Sequence, residues 1–82
     1  MNSIQIKLDN IKKLKQFVAD CSLIDAKIEV VSGDAIADAK SIMGLMMLDL
    51  MKPLELRVHA DDGCGARILE QLCEYRYDAA QA

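Results

Sequence analysis

Apolar and polar residues alternate over four stretches of the chain, and this period of two is typical of half-buried strands. The stretches lie at residues 4–8, 25–32, 35–38 and 54–60. Between the second and the third, Ser32-Gly33-Asp34 has the composition of a hairpin turn. The third stretch is short and alternates weakly, so we expect only a brief strand there.

Three other stretches repeat apolar residues at the spacing of a helix. The first follows Asp9-Asn10, which is suited to capping a helix, and continues to about Cys21. The second runs from Ser41 to about Leu50 and ends before Pro53, because proline disfavours helix in the residue before it. The third covers about residues 65–75.

The predicted order is therefore strand, helix, strand, strand, helix, strand, helix (βαββαβα). Each strand has one apolar face, which suits an antiparallel sheet covered by helices on one side only. We predict one domain over residues 1–82 with an α+β fold. It is an open-faced β-sandwich in which three helices cover one face of a four-stranded antiparallel sheet. The 82 residues, 52% of them hydrophobic, suffice for one small core.

Charge and composition narrow the range of partners. Ten basic and thirteen acidic residues give a net charge of −3, which argues against nucleic acid as a partner. No apolar stretch is long enough to span a bilayer, so we expect no membrane partner. The first residues lack a charged-then-apolar signal layout, and we therefore expect a cytoplasmic protein.

The three cysteines, Cys21, Cys64 and Cys73, include no Cys-x-x-Cys pair, and the chain has one histidine. A disulfide framework and a zinc site are both disfavoured, and we predict neither a metal nor another cofactor. Cys64 lies near the start of the last helix, whose dipole favours a thiolate, although Asp61 and Asp62 act in the opposite direction. No nucleophile–base pair or carboxylate dyad is spaced for catalysis, so we predict a protein without enzymatic activity.

Ser41 stands directly before the second helix, where its side-chain oxygen can cap the first turn. Unpaired backbone N–H groups and the helix dipole also favour a phosphate on that oxygen. The helix behind it is apolar on nearly every side, so apolar side chains should remain exposed once the core is filled. We expect them to contact a partner protein or a second copy of the chain. The predicted docking residues are Ile42, Met43, Leu45, Met46 and Met47.

The segment from Lys40 to Leu50, KSIMGLMMLDL, closely resembles the regulatory-serine helix of HPr, the phosphocarrier of the bacterial sugar phosphotransferase system. The resemblance covers the whole chain in element order and length, and it is specific in sequence from about Asp25 to Ala60. It implies that an ATP-dependent HPr kinase phosphorylates Ser41 and that this controls docking to a transcription regulator. It also implies contact with enzymes of the phosphotransferase system.

One part of the chain departs from the family pattern. HPr proteins carry a phosphorylatable histidine at the start of their first helix, and the alignment places Asn10 near that position. Lys12 and Lys13 stand where the family has arginine and proline. An asparagine amide cannot take up a phosphoryl group, and lysine lacks the two-pronged donor geometry of arginine. The resemblance thus implies a degenerate phosphohistidine site at Asn10, Lys12 and Lys13.

The resemblance implies an HPr-like regulatory docking module for carbon catabolite regulation, without the phosphocarrier histidine and switched by phosphorylation of Ser41. Two alternatives remain open. In the first, the protein is a divergent phosphocarrier whose only histidine, His59, accepts the phosphoryl group. In the second, it is an interaction domain that works without phosphorylation, and Ser41 is only a helix cap.

Overall fold

The computed structural model describes residues 2–60 and 63–77 of the chain. Their order confirms the predicted βαββαβα succession. The elements are β1 (Asn2–Ile6), α1 (Ile11–Ser22), β2 (Lys27–Ser32), β3 (Ala35–Asp38), α2 (Ile42–Met46), β4 (Leu54–His59) and α3 (Gly65–Gln71), followed by a 3-10 turn at Cys73–Tyr75. None of the helices within these residues is long and apolar enough to cross a bilayer.

The four strands form one antiparallel sheet in the spatial order β1-β4-β2-β3. The last strand in sequence therefore lies between the first two. One row of the register joins Ile4 to Leu56, Leu56 to Val30 and Val30 to Ala37. The fold is the predicted α+β open-faced sandwich.

The core lies between the sheet and the helices. In β4, Leu54, Leu56 and Val58 are buried, whereas the residues between them are half-buried, as the period of two predicts. From the helical side, α1 contributes Leu14, Phe17 and Cys21. Each large aliphatic or aromatic side chain buried in this way contributes roughly 1.5–3 kcal/mol relative to exposure.

Helix α2 is shorter than predicted, because it ends at Met46 and not near Leu50. The N–H of Met47 bonds to the Gly44 carbonyl at 3.2 Å, and the N–H of Leu48 bonds to the Leu45 carbonyl at 3.0 Å. These bonds reach back three residues, which tightens the last turn and ends the helix.

Helix α3 also ends earlier than predicted, at Gln71, and residues 73–75 form the separate 3-10 turn. At Leu72 the backbone leaves helical geometry, with φ −102° and ψ 15°. This change of direction leads to Tyr75, whose ring packs edge-on against Phe17 with 5.0 Å between centroids.

The two edges of the sheet differ. Residues 75–77 run along β1, where Lys7 donates its N–H to the Tyr75 carbonyl at 3.1 Å and Tyr77 donates to the Gln5 carbonyl at 2.8 Å. The outer edge of β1 is thereby covered from Gln5 to Lys7. In the part of the chain that the structure describes, no strand pairs with the outer side of β3.

Candidate functional site

Asn10 is the N-cap of α1. Its backbone is extended, with φ −145° and ψ 158°, and its Oδ1 accepts a 2.7 Å hydrogen bond from the Lys13 N–H. Asn10 and Lys12 are exposed and Lys13 is half-buried. The three residues line a shallow, open cavity of about 190 Å³ together with Glu74 and two neighbouring residues. The structure thus groups the predicted degenerate site at the start of α1.

Ser41 is the N-cap of α2, which confirms its predicted capping role. Its Oγ accepts a 3.2 Å hydrogen bond from the Gly44 N–H, and the residue is half-buried. A Cβ added to Gly44 would lie 3.3 Å from that Oγ, so glycine at this position leaves the hydroxyl uncrowded. Lys40 fixes the preceding loop, because its Nζ donates to the Ile24 carbonyl at 2.7 Å.

Four methionines in and after α2 expose large parts of their side chains. Relative exposure is 77% for Met43, 56% for Met46, 87% for Met47 and 75% for Met51. We call these four residues the methionine surface. Met51 was not among the predicted docking residues, because it lies beyond the predicted end of the helix.

Two of the predicted docking residues face the core instead. Leu45 is fully buried, so its prediction as a docking residue is wrong: the residue fills the core below α2. Ile42 is half-buried and packs against the same core. A helix of five residues can turn only one narrow face inwards, and this face belongs to Ile42 and Leu45.

An apolar groove of about 250 Å³ connects the start of α1 with the residues after α2. Asn10, Ile11 and Leu14 line it on one side, and Met46, Leu50 and Met51 line it on the other. The fold therefore places Asn10, from the predicted degenerate site, in the same groove as Met46 and Met51 of the methionine surface. Ile11, the first residue of α1, is 53% exposed beside the groove.

His59 lies far from this groove. The Nε2 of His59 is 2.6 Å from Glu29 Oε1 on the neighbouring strand, and Lys27 Nζ lies 4.0 Å from the other oxygen of that carboxylate. Strand β4 starts at Leu54, which pairs with Ile6 at the end of β1 that leads to α1, and at about 3.4 Å per residue the strand places His59 about 17 Å from Leu54. The histidine and Asn10 consequently occupy opposite ends of the sheet.

The cysteines occupy three different environments. Cys64 directly precedes α3 and, with His59, lines a cavity of about 390 Å³. Asp61 and Asp62, which we expected to oppose its ionisation, lie outside the described residues. Cys21 is buried and Cys73 is exposed. Within residues 2–60 and 63–77, no three His, Cys, Asp or Glu side chains are grouped to hold a metal ion.

Comparison with known proteins identifies the family. The family model described as "PTS HPr component phosphorylation site" matches residues 11–76. The solved structure of HPr-C-His from Thermoanaerobacter tengcongensis has a TM-score of 0.76 and 23% identity, covering 90% of this chain and 89% of that chain. The phosphocarrier protein HPr from Bacillus anthracis str. Ames has a TM-score of 0.74 and 23% identity, covering 93% and 94%. No curated protein sequence matches the chain.

The two solved structures, at this level of identity, support the fold, and the family model supports membership because it spans well over half of the chain. HPr proteins are phosphocarriers and not catalytic enzymes, which agrees with the predicted lack of enzymatic activity. Family model and fold together confirm the resemblance seen in the sequence: the chain belongs to the HPr family of the phosphotransferase system.

Proposed function

We propose that this HPr-family protein is a regulatory docking module of the phosphotransferase system that has no phosphocarrier histidine and is switched by phosphorylation of Ser41. One observation carries the proposal. Asn10 caps α1 where the family resemblance places the phosphohistidine, whereas the only histidine, His59, lies at the other end of the sheet.

Neither Asn10 nor His59 is suited to carry a phosphoryl group. The amide of Asn10 is not a nucleophile, and its oxygen is occupied by the Lys13 N–H. The imidazole of His59 is bonded to the Glu29 carboxylate. A transferred phosphoryl group would approach that negative charge, which repels it.

Phosphorylation of Ser41 would change the charge beside the methionine surface. A phosphate adds roughly −1.5 to −2 charges at neutral pH. Because α2 has only five residues, about 7 Å of helix axis separates Ser41 from Met46. A partner that places arginine against the phosphate can therefore cover the exposed methionines with apolar side chains. Acidic partners would be repelled.

By family resemblance, the modifying enzyme in this proposal is an ATP-dependent HPr kinase. The partner is a transcription regulator of carbon catabolite control, or an enzyme of the phosphotransferase system. The same proposal places the protein in the cytoplasm, where these partners act. The apolar groove between Asn10 and Met46 is the surface that they would share.

Intact-mass measurement of two reactions tests the proposal. One reaction contains an HPr kinase with ATP, and the other contains the phosphoenolpyruvate-dependent first enzyme of the system with phosphoenolpyruvate. We expect phosphate only in the kinase reaction, and we expect Ser41→Ala to abolish it. Ser22→Ala is the matched control, because Ser22 is exposed at the far end of α1. Phosphate on the wild type in the second reaction would overturn the proposal and indicate a divergent phosphocarrier using His59.

The exposed methionines favour a second candidate, an interaction domain that docks without phosphorylation. Met43 and Met47 are more than three-quarters exposed in the unmodified protein. In this case neither reaction adds phosphate, and the unmodified protein binds its partner or itself through the methionine surface. Sedimentation of the wild type and of Met47→Glu would identify a homodimer formed there.

A further inference from the structure

The outer edge of β3 pairs with no other strand in the described part of the chain. Ile36, in the middle of this strand, is 58% exposed, and Ala35 and Asp38 are exposed as well. At the opposite edge, residues 75–77 cover β1 from Gln5 to Lys7. An exposed sheet edge presents unpaired backbone groups to which an extended segment can add.

The hydrogen-bonding pattern shows which backbone groups face outwards. Ala39 donates its N–H to the Ile28 carbonyl at 3.0 Å, so the backbone groups of Ala39 face β2. Backbone groups alternate in direction along an antiparallel strand. Those of Ala35 and Ala37 therefore also face β2, and those of Ile36 and Asp38 face outwards. The Ser41 N–H already occupies the Asp38 carbonyl at 3.0 Å. The N–H and carbonyl of Ile36 and the N–H of Asp38 are therefore the outward groups for a new strand.

The acidic side chains at this edge favour a partner segment with basic residues. In the sequence Asp34-Ala35-Ile36-Ala37-Asp38, a carboxylate lies two positions to each side of Ile36; Asp34 belongs to the turn before β3, and Asp38 is the last residue of the strand. Among residues 2–60 and 63–77, neither carboxylate forms an ion pair. On the neighbouring strand, Ile36 lies beside Val31, and Asp38 lies beside Glu29, whose carboxylate is already bonded to His59.

We propose that the β3 edge binds an extended, antiparallel segment of a partner protein with the pattern basic–x–apolar–x–basic. The apolar residue lies opposite Ile36 and extends the apolar pair that Ile36 forms with Val31. The two basic residues lie opposite Asp34 and Asp38. This surface is separate from the apolar groove, and the proposal does not depend on phosphorylation of Ser41.

The charges at the β3 edge disfavour a second copy of the chain as the partner. The sequence from Asp34 to Asp38 is a palindrome, so antiparallel pairing of two β3 strands about Ile36 places each Asp34 opposite the other copy's Asp38. Like charges directly opposite each other destabilise a strand pair. The charges that attract a basic segment thus also oppose self-association.

Peptide binding to the full chain tests the proposal. One probe is a labelled peptide centred on Lys-Thr-Val-Thr-Lys, and its control is the same peptide with both lysines replaced by glutamate. We expect the lysine peptide to bind at least about tenfold more tightly. We also expect it to shift the amide NMR signals of residues 34–38 and to protect the Ile36 amide from hydrogen exchange. Equal binding of both peptides, no binding, or shifts elsewhere would overturn the proposal.

Two variants sharpen the test. The double variant Asp34→Asn, Asp38→Asn removes both charges but keeps the side-chain oxygen that accepts the Lys40 N–H at 2.9 Å. We expect it to bind both peptides equally. The control Asp25→Asn, Glu70→Gln makes the same change in net charge at exposed positions elsewhere and should keep the preference. Loss of the preference in the control would show that net charge alone selects the peptide.

A variant designed to self-associate through β3 gives a further test. Asp34→Lys makes the palindrome complementary to itself, because each lysine then faces Asp38 of the other copy. We expect this variant to self-associate in sedimentation more strongly than the wild type, and Ile36→Pro added to it to reverse the effect, because proline removes an outward N–H. Self-association of the wild type through β3 would overturn the proposed occupant.

Discussion

Asn10 and Ser41 perform the same local task at the starts of two helices. Each has an extended backbone, and each accepts a hydrogen bond from the N–H three residues later, at Lys13 and at Gly44. In the proposed function, each also stands where the resemblance to HPr places a phosphorylated residue. A variant that tests the proposal at either residue must therefore change the proposed function while preserving the helix cap.

Ser41 allows such a separation. We expect Ser41→Ala to lower the free energy of unfolding by about 1 kcal/mol, because the Gly44 N–H loses its acceptor. Ser41→Asn supplies another good cap and should retain the stability while it prevents phosphorylation. Urea unfolding and intact mass measure the two properties. A loss of stability in Ser41→Asn equal to that in Ser41→Ala would contradict the capping role.

Asn10 allows the opposite experiment, the gain of an activity. If Asn10 stands at the family's histidine position, Asn10→His combined with Lys12→Arg should accept phosphate from the phosphoenolpyruvate-dependent enzyme. Histidine supplies the nucleophile and arginine a two-pronged anion contact. Intact mass detects the product, and Asn10→Gln with Lys12→Arg is the control without a nucleophile. A folded histidine variant that remains unmodified would show that the position is not equivalent.

At the scale of elements, the apolar residues of α2 and of its C-cap, Met47, are divided between the core and the surface. Leu45 is fully buried, whereas Met47, two residues later, is 87% exposed. We expect Leu45→Ala to lower the free energy of unfolding by about 2–5 kcal/mol through the cavity that it leaves. We expect Met47→Ala to change it by less than about 0.5 kcal/mol. Urea unfolding of both variants measures the difference, and similar values would place Leu45 outside the core.

The elements that the sequence predicts best are those with one strict period. In β4, three apolar residues alternate with Glu55, Arg57 and His59, and the structure reproduces this alternation. The caps at Asn10 and Ser41 were also predictable, because a single side chain determines each of them.

The end of α2 could not be predicted in the same way. Its run of apolar residues continues past Met46, so composition contains no stop signal before Pro53. The helix ends where the chain must bring Leu48 back to the core, which is a tertiary constraint. The groove could not be predicted for the same reason, because Ile11 and Met51 are distant in sequence and line one groove only after folding.

At the scale of the whole molecule, residues 73–75 are joined to α1. The Tyr75 hydroxyl donates a 2.5 Å hydrogen bond to Asp20, and the ring packs on Phe17. Cys21 lies beside this contact, and burial, followed by the charge of Asp20, raises its thiol pKa from 9.0 to about 12. Burial and the Asp20 hydrogen bond likewise raise the pKa of Tyr75. Both groups thus remain protonated in the folded protein at a pH where the unfolded chain ionises.

This arrangement makes the protein sensitive to alkali. A raised pKa gives stability that is complete below the unfolded value and is lost as pH rises towards the folded value. We expect the free energy of unfolding to be level up to about pH 9 and then to fall by up to about 1.4 kcal/mol per pH unit because of Cys21, and Tyr75 adds a similar slope above about pH 10. Urea unfolding at several pH values measures the slope. Between pH 9 and 10.5, the free energy of unfolding of Cys21→Ala should fall less steeply with pH than that of the wild type. An unchanged slope would exclude the thiol as a cause.

The spatial order of the sheet also determines when β1 can fold. This strand pairs with β4 and with residues 75–77, all of which are synthesised long after it. At roughly 5–20 residues per second, β1 waits for several seconds outside the ribosome without a partner. Its polar side chains at Ser3 and Gln5, which are exposed in the folded sheet, oppose aggregation of the waiting strand. Translation speed thus sets how long the new chain depends on these two side chains.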